Sequence, residues 1–271
     1  MKELENQDFL KLEKMDFPFA EFKEFFEKVN YNENHAKYSK QYCRSLTRKA
    51  IEHFISFKIL DPQSSNSFYI DVAASSSPAS KIAKNVYGVE KSFRQDLNYA
   101  DAEVEKGDVI ISNATDIPVE SDSVDMITLH NSWEHFESND DFDFVGESTR
   151  ILKKGGKVCI TPLELSNTTE ILTSPMIWYT KFRRLNDTPM FDKNAEIFIN
   201  EKKMQRQEKT YSVDYLATRL KEYSDKMKFT VYYLADLEDD CEVVTRELGD
   251  KNIYPGVLNH LSRYILIGEK L

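Results

Sequence analysis

Apolar residues fall along this chain in two rhythms. Ser67–Val72 (SFYIDV), Asp108–Ser112 (DVIIS), Val124–Leu129 (VDMITL) and Lys157–Thr161 (KVCIT) are short, mainly apolar runs closed by polar or turn residues. That pattern suits strands buried on both faces of a parallel sheet. Elsewhere the spacing is helical. Tyr42, Leu46, Ala50 and Phe54 recur every four residues, joined by Ile51 and Ile55, while Phe142, Val145, Thr149 and Leu152 form a second stripe and Val213, Leu216, Ala217 and Leu220 a third. Strands alternating with helices predict an α/β fold with a mostly parallel sheet.

Local signals set the expected boundaries. Ser77 and Pro78 suit the cap and first position of a helix running toward Lys84. Val86–Glu90 (VYGVE) reads as the strand after it. The helix beginning near Asp140 should end with Lys153 and Lys154 in its last turn, stopped by Gly155 and Gly156. Ser212 caps a helix over Val213–Met227, and Lys228–Ala235 and Arg263–Gly268 supply the closing strands. Four regions result: residues 1–60, an amino-terminal helical extension; 61–165, a core with five strands; 166–227, an insertion and core helix; and 228–271, the closing strands. Residues 166–227 exceed an ordinary connection between helix and strand.

Composition narrows the partners. The chain has 271 residues, 41% of them hydrophobic, and a formal net charge of −10. This length can bury one large α/β core with appendages. The acidic balance opposes nucleic-acid binding, which calls for a basic face. Charged residues interrupt MKELENQDF and no long apolar run follows, so no signal peptide or membrane insertion is expected and the cytoplasm is the default location. Cys43, Cys159 and Cys241 are far apart in sequence, and neither disulfides nor a structural metal is expected.

The string from Asn113 to Pro162, with strand, polar HNSWEHF, helix, two glycines and strand in that order, resembles the second half of the cofactor domain of class I S-adenosylmethionine-dependent methyltransferases. The resemblance is strong over about residues 65–165 and moderate over the closing strands. It implies a Rossmann-like, doubly wound, seven-stranded sheet with an antiparallel edge strand, and S-adenosylmethionine as cofactor, leaving S-adenosylhomocysteine as product. Asp71, Ala73, Ser75, Glu90, Asn113, Ala114, His130 and Asn131 would then hold the cofactor. Glu90 stands roughly 20 positions after Asp71, an interval at which such folds place an acid on the ribose. Asn113 would accept from the adenine amino group, with a plain turn asparagine as the competing reading. The first loop departs from the family: where Asp-Val-Gly-x-Gly-x-Gly is usual, this chain has Asp71-Val72-Ala73-Ala74-Ser75-Ser76-Ser77-Pro78. Glycines permit positive φ and close approach, so Ala73 and the serines must fit ordinary dihedrals or leave less room.

Methyl transfer from a sulfonium needs alignment of the acceptor and exclusion of water. A base is needed only where the acceptor must lose a proton. Glu134 and His135 are the first candidates and His130 the next. Each has a bland alternative: His130 as a pocket lining, His135 as a hydrogen-bonded core residue. Trp133 would wall the acceptor pocket or pack on the sheet. Tyr38 and Arg44 are candidate cleft residues of an amino-terminal lid, and Tyr254 and His260 lie in a long connection that would overhang the cleft. Lys202, Lys203, Arg206 and Lys209 form a local basic run suited to a phosphate or carboxylate on the acceptor, with Arg206 preferred; a merely solvated run is the ordinary alternative. DVAASSSP, NATDIPV and LHNSWEHFE also look like a bacterial branch acting on surface glycans and small metabolites. The expected acceptor is therefore a small phosphorylated or nucleotide-linked metabolite, such as a capsule or lipopolysaccharide precursor, methylated on oxygen. N-methylation is a second option, a catalytically silent partner protein a third, and an NAD-dependent oxidoreductase is disfavoured because the glycine fingerprint is absent.

Overall fold

The structure, a computed structural model, describes residues 8–30, 46–74, 77–97, 108–178, 189–200, 205–235 and 264–271. In chain order the elements are β1 (Leu10–Asp16), α1 (Phe19–Val29), α2 (Leu46–Leu60), β2 (Phe68–Val72), α3 (Ala79–Tyr87), β3 (Lys91–Asp96), β4 (Val109–Ile111) and β5 (Val124–His130). A 3₁₀ turn (Trp133–His135) leads into α4 (Asp140–Ile151) and β6 (Leu152–Thr161). There follow β7 (Leu165–Ser166), β8 (Glu170–Thr173), α5 (Pro175–Trp178), β9 (Glu196–Ile199), β10 (Glu208–Ser212), α6 (Val213–Leu220), β11 (Met227–Ala235) and β12 (Tyr264–Lys270).

Eight strands form the main sheet in the order β1-β11-β12-β6-β5-β2-β3-β4. β4, β3, β2, β5 and β6 run parallel, so their carboxyl ends share one edge. Consecutive strand residues serve opposite faces, as the strand period requires. Ile70 and Ile127 pack with Phe142, Val145, Leu216 and Leu220, whereas Tyr69 and Met126 pack with Phe22, Phe54 and Phe57. The sheet is thus covered on both sides, which explains why its central strands read as near-continuous apolar runs.

Several sequence expectations are corrected. Residues 1–60 are not wholly helical: β1 adds to the sheet, pairing parallel with β11 from Leu10↔Phe229 to Asp16↔Ala235. Only Leu10–Glu13 keep the period-2 alternation of an edge strand; Lys14 and Met15 break it. That makes eight strands rather than seven. The antiparallel strand, β12, is interior, lying between β11 and β6. α3 runs through Tyr87, ends at Gly88 with φ 72°, and displaces the next strand to Lys91–Asp96. Ser77 still serves the helix start, its Oγ accepting from the Ala79 N–H at 3.2 Å.

α4 stops at Ile151, before the lysines, and Lys153 instead pairs with Asp125 at 2.7 Å. Gly155 and Gly156 lie within β6, near an irregularity in its pairing with β5. A Cβ at Gly156 would stand 2.9 Å from the Lys153 carbonyl oxygen, so close backbone approach requires glycine there. α6 is shorter than expected, passing into a 3₁₀ turn at Lys221–Tyr223, though Ser212 Oγ does accept from the Tyr215 N–H. The insertion carries a second sheet, ordered β7-β10-β8-β9, where only a cap and helix were expected.

Candidate active site

The carboxyl edge of the parallel strands collects the candidate residues, as open α/β sheets place their ligand crevices. β2 ends at Val72, and Ala73 takes φ 52°, the left-handed conformation a glycine would adopt without cost. The chain is held there by β3: the Ala73 N–H donates to Gln95 Oε1 at 3.2 Å and the Ala74 N–H to the Gln95 carbonyl at 2.9 Å. Gln95 Nε2 in turn donates to the Ser112 carbonyl at 2.6 Å, tying three strand ends together.

Asp71 is fully buried just before this loop. Its Oδ1 accepts from Thr128 Oγ1 at 2.9 Å and lies 3.3 Å from His130 Nδ1, while Oδ2 has no partner among the described residues. An orphaned carboxylate oxygen beneath a loop of small residues fits a ligand bringing N–H donors, such as the methionine ammonium of S-adenosylmethionine.

Glu90 is corrected. It lies exposed at the opposite, amino end of its strand, its N–H donating to the Ser65 carbonyl that precedes β2. The acid at the carboxyl end is Asp96, which follows Gln95 and whose carbonyl accepts from the Ser112 N–H. The interval misled because α3 extends past Val86. Asn113 is exposed, and its Oδ1 accepts from the Thr115 N–H at 3.2 Å, so the turn reading is realised; Ala114 is buried beside it. Ser75 and Tyr38 lie outside the described residues, as do Arg44, Lys202, Lys203, Tyr254 and His260.

β5 ends in His130, which is interior. Ser56 Oγ stands 3.0 Å from its Nε2, Asp71 holds its Nδ1, and the His53 ring meets it edge-on with centroids 5.0 Å apart. With both nitrogens engaged, His130 positions strand and helix and is not placed as a base. Asn131, at φ 51°, donates from Nδ2 to Glu52 Oε2 at 2.5 Å and accepts from Arg48 Nη2 at 2.8 Å. Arg48 also donates to Glu52 at 2.9 Å. α2 thereby clamps the strand end through residues the sequence did not single out, because their apolar neighbours Ala50, Ile51 and Phe54 dominated its stripe.

Glu134 and His135 occupy the 3₁₀ turn. Glu134 is 7% exposed, and its Oε2 has no partner among the described residues. Burial pushes its pKa up, against opposing pulls from His135, a hydrogen bond to the carboxylate from its own backbone N–H, Lys49 and Arg48. His135 Nε2 stands 3.7 Å from Glu134 Oε1, and its Nδ1 lies 2.5 Å from the Gln207 carbonyl. An imidazole anchored through one nitrogen and turned to a buried carboxylate with the other can pass a proton between that carboxylate and water. Glu164, just after β6, is also raised, by burial and then by Glu134.

The two remaining substrate candidates are corrected. Trp133 is 1% exposed, stacks on Tyr211 with centroids 4.6 Å apart, and donates from Nε1 to the Asp141 carbonyl at 2.8 Å. It is core, not pocket wall. Arg206 is 6% exposed and forms an ion pair with Glu137, and Lys209 is fully buried with Asp141 at 2.7 Å and Asp192 at 3.4 Å. Neither presents its charge to a phosphate. These pairs join the insertion to the turn and α4, a structural use that charge spacing alone does not reveal.

Residues 70–160 match the family model described as Methyltransferase domain. No curated protein matches the chain. Among solved structures, it is similar to phosphoethanolamine N-methyltransferase 2 of Haemonchus contortus, in complex with S-adenosyl-L-methionine, at 14% identity and TM-score 0.51 over 81% of this chain and 52% of that one. The chain thus spans about half that protein's length, and the likeness shows the fold. It also aligns with geranyl diphosphate C-methyltransferase from Streptomyces coelicolor A3(2), at 13% identity and TM-score 0.48 over 82% of this chain and 79% of that one. A possible histamine N-methyltransferase from Thermotoga maritima aligns at 12% identity and TM-score 0.46, over 90% and 99%.

Proposed function

We propose that residues 70–160, which match the family model described as Methyltransferase domain, form a class I S-adenosylmethionine-dependent methyltransferase domain, and that the chain methylates a small molecule held over the carboxyl edge of its sheet, with Glu134 as proton acceptor. The observation that carries this reading is the buried Glu134 Oε2 without a partner, two residues after Ser132, whose Oγ donates to the Ala73 carbonyl at 3.3 Å. Cofactor loop and proton acceptor are therefore neighbours.

Ala73, Ala74 and Asp71 would hold the amino-acid portion of S-adenosylmethionine, Asp96 the ribose hydroxyls, and the segment Asn113–Ala114 the adenine. Asp96 takes the role expected of Glu90, since a carboxylate at that strand end accepts from both hydroxyls. When bound, the cofactor supplies a sulfonium methyl group already activated for displacement. The chain's own work is to orient the acceptor, keep water away and receive a proton. Glu134 would receive it directly and His135 would carry it outward. Trp133 and Tyr211 lie beneath the turn and fix its height by stacking.

An oxygen acceptor on a phosphorylated or nucleotide-linked metabolite was the expectation from sequence. The residues meant to hold its phosphate, Arg206 and Lys209, are committed to Glu137, Asp141 and Asp192. The fold and the position of Glu134 support methyl transfer without requiring that anchor. Labelled-methyl transfer from S-adenosylmethionine to a small-metabolite pool tests the reading: incorporation should fall at least roughly tenfold in Glu134→Gln, since general-base terms are typically 10² to 10⁴. Unchanged incorporation in that variant removes Glu134 from the reaction.

A further inference from the structure

A first loop without glycine has to be shaped by other groups. Ala73 stands at φ 52°, a conformation unfavourable for a residue with a Cβ. Such a residue persists only where its surroundings over-determine it. Both of its polar backbone groups are taken: the N–H donates to Gln95 Oε1 at 3.2 Å, and the carbonyl accepts from Ser132 Oγ at 3.3 Å. Gln95 belongs to β3, on one side of β2, and Ser132 follows β5, on the other. Ala73 is therefore held from both neighbouring strands. The Ala74 N–H adds a third tie, to the Gln95 carbonyl at 2.9 Å.

Gln95 has the chemistry this task needs. It is 1% exposed, and while Oε1 accepts from Ala73, Nε2 donates to the Ser112 carbonyl at 2.6 Å and lies 3.4 Å from Ser112 Oγ. An amide carries its acceptor and its donors on separate atoms. The bond to Ser112 thus stops the amide from turning over and keeps Oε1 aimed at Ala73. A carboxylate would set a second acceptor against the Ser112 carbonyl, and an apolar side chain would leave the Ala73 N–H without its acceptor. Asp96, the next residue, has a separate support: its carbonyl accepts from the Ser112 N–H at 3.2 Å. Gln95 and Ser132 therefore bear on the loop, whereas the end of β3 at Asp96 is tied by its own backbone.

Resting on the methyltransferase reading, we propose that Gln95 and Ser132 are positioning residues for S-adenosylmethionine. They impose on Ala73 the turn that a glycine would take unaided, and so shape in advance the loop that receives the methionine portion of the cofactor. They act through Ala73, not by contact with the reacting atoms.

The test is calorimetric titration of the full chain with S-adenosylhomocysteine and with 5′-methylthioadenosine, which keeps the adenosine but lacks the amino-acid portion. Gln95→Met, similar in length but without the amide, should weaken S-adenosylhomocysteine about tenfold and 5′-methylthioadenosine no more than about twofold, the first being the size of one hydrogen bond. A general loosening of the fold would weaken both alike. In an Ala73→Gly background the same substitution should cost S-adenosylhomocysteine no more than about threefold, because glycine keeps the turn without the tie and residues in contact are coupled. Ser132→Ala, which leaves the core packing intact, should show the same pattern at about threefold, and it carries the test if Gln95→Met fails to fold. Equal weakening of both probes, a loss undiminished in the Ala73→Gly background, or unchanged affinity for S-adenosylhomocysteine in both variants overturns the proposal. If the unaltered chain does not bind S-adenosylhomocysteine, the methyltransferase reading falls and this inference with it; if it binds and the variants bind equally well, only the inference falls.

Discussion

At the residue scale, the site depends on a few side chains whose neighbours change their chemistry. Glu134 is the clearest: burial raises its pKa. A carboxyl raised in the folded state leaves stability intact below its unfolded value, near 4.3. That stability is lost as pH climbs through the folded value. Glu134→Gln should therefore stabilise the acceptor-free protein at pH 7.5 and make little difference at pH 4, as read from denaturation midpoints of both proteins at each pH. Ala73 offers a second prediction. A non-glycine residue at φ 52° is strained, so Ala73→Gly should gain about 0.5–1 kcal/mol after allowing for the entropy of glycine, measured by urea unfolding. Asp96→Asn should weaken binding of S-adenosylhomocysteine by about tenfold, the size of a hydrogen bond to a charged group, whereas Glu90→Gln should leave it unchanged in the same titration.

The residue scale is also where sequence reading reached least far. Asp71, Ala73 and Glu134 lie at the carboxyl edge proposed as the site because their neighbours in the motif place them there. Glu90 failed because a spacing rule is only as good as the helix end it assumes, and Gly88 ends α3 one turn later than expected. Arg206 and Lys209 failed because a basic run carries no record of Glu137 and Asp141, which lie about 70 positions away in sequence. Arg48 and Glu52 went unnoticed because their partner, Asn131, is contributed by another element.

Among the elements, the 3₁₀ turn and the second sheet act together. His135 lies against the Gln207 carbonyl, Gln207 donates to Phe136, and Lys209 reaches under both to Asp141. The insertion thus props the turn that carries Glu134. Removing one member of the buried Lys209–Asp141 pair leaves an uncompensated charge. Lys209→Ala should cost about 3–5 kcal/mol of unfolding free energy, while joint replacement of the pair by Met and Leu should cost far less. A cycle of the single and double variants in chemical denaturation measures the difference. Elements buried on both faces, β2, β5 and β6, were legible because their apolar runs have few alternatives. β1 was not, because a half-exposed edge strand of seven residues looks, without its partner β11, like an irregular helix.

For the whole molecule, sheet order brings distant segments to one edge. β2, β3 and β4 end near the loop at Ala73, and β5 ends beside the turn at Glu134, so the residues proposed for the methyl donor and for the acceptor lie along the same edge of the sheet. No helix among the described residues is long and apolar enough to cross a membrane. The central claim is that this edge binds S-adenosylmethionine although its first loop has no glycine. Calorimetric titration of the full chain with S-adenosylmethionine, S-adenosylhomocysteine and NAD tests it most directly. One site per chain for each of the first two ligands, with dissociation constants of micromolar order, near −8 kcal/mol, and no heat with NAD is the expected result. Absence of binding by both sulfur ligands would contradict it.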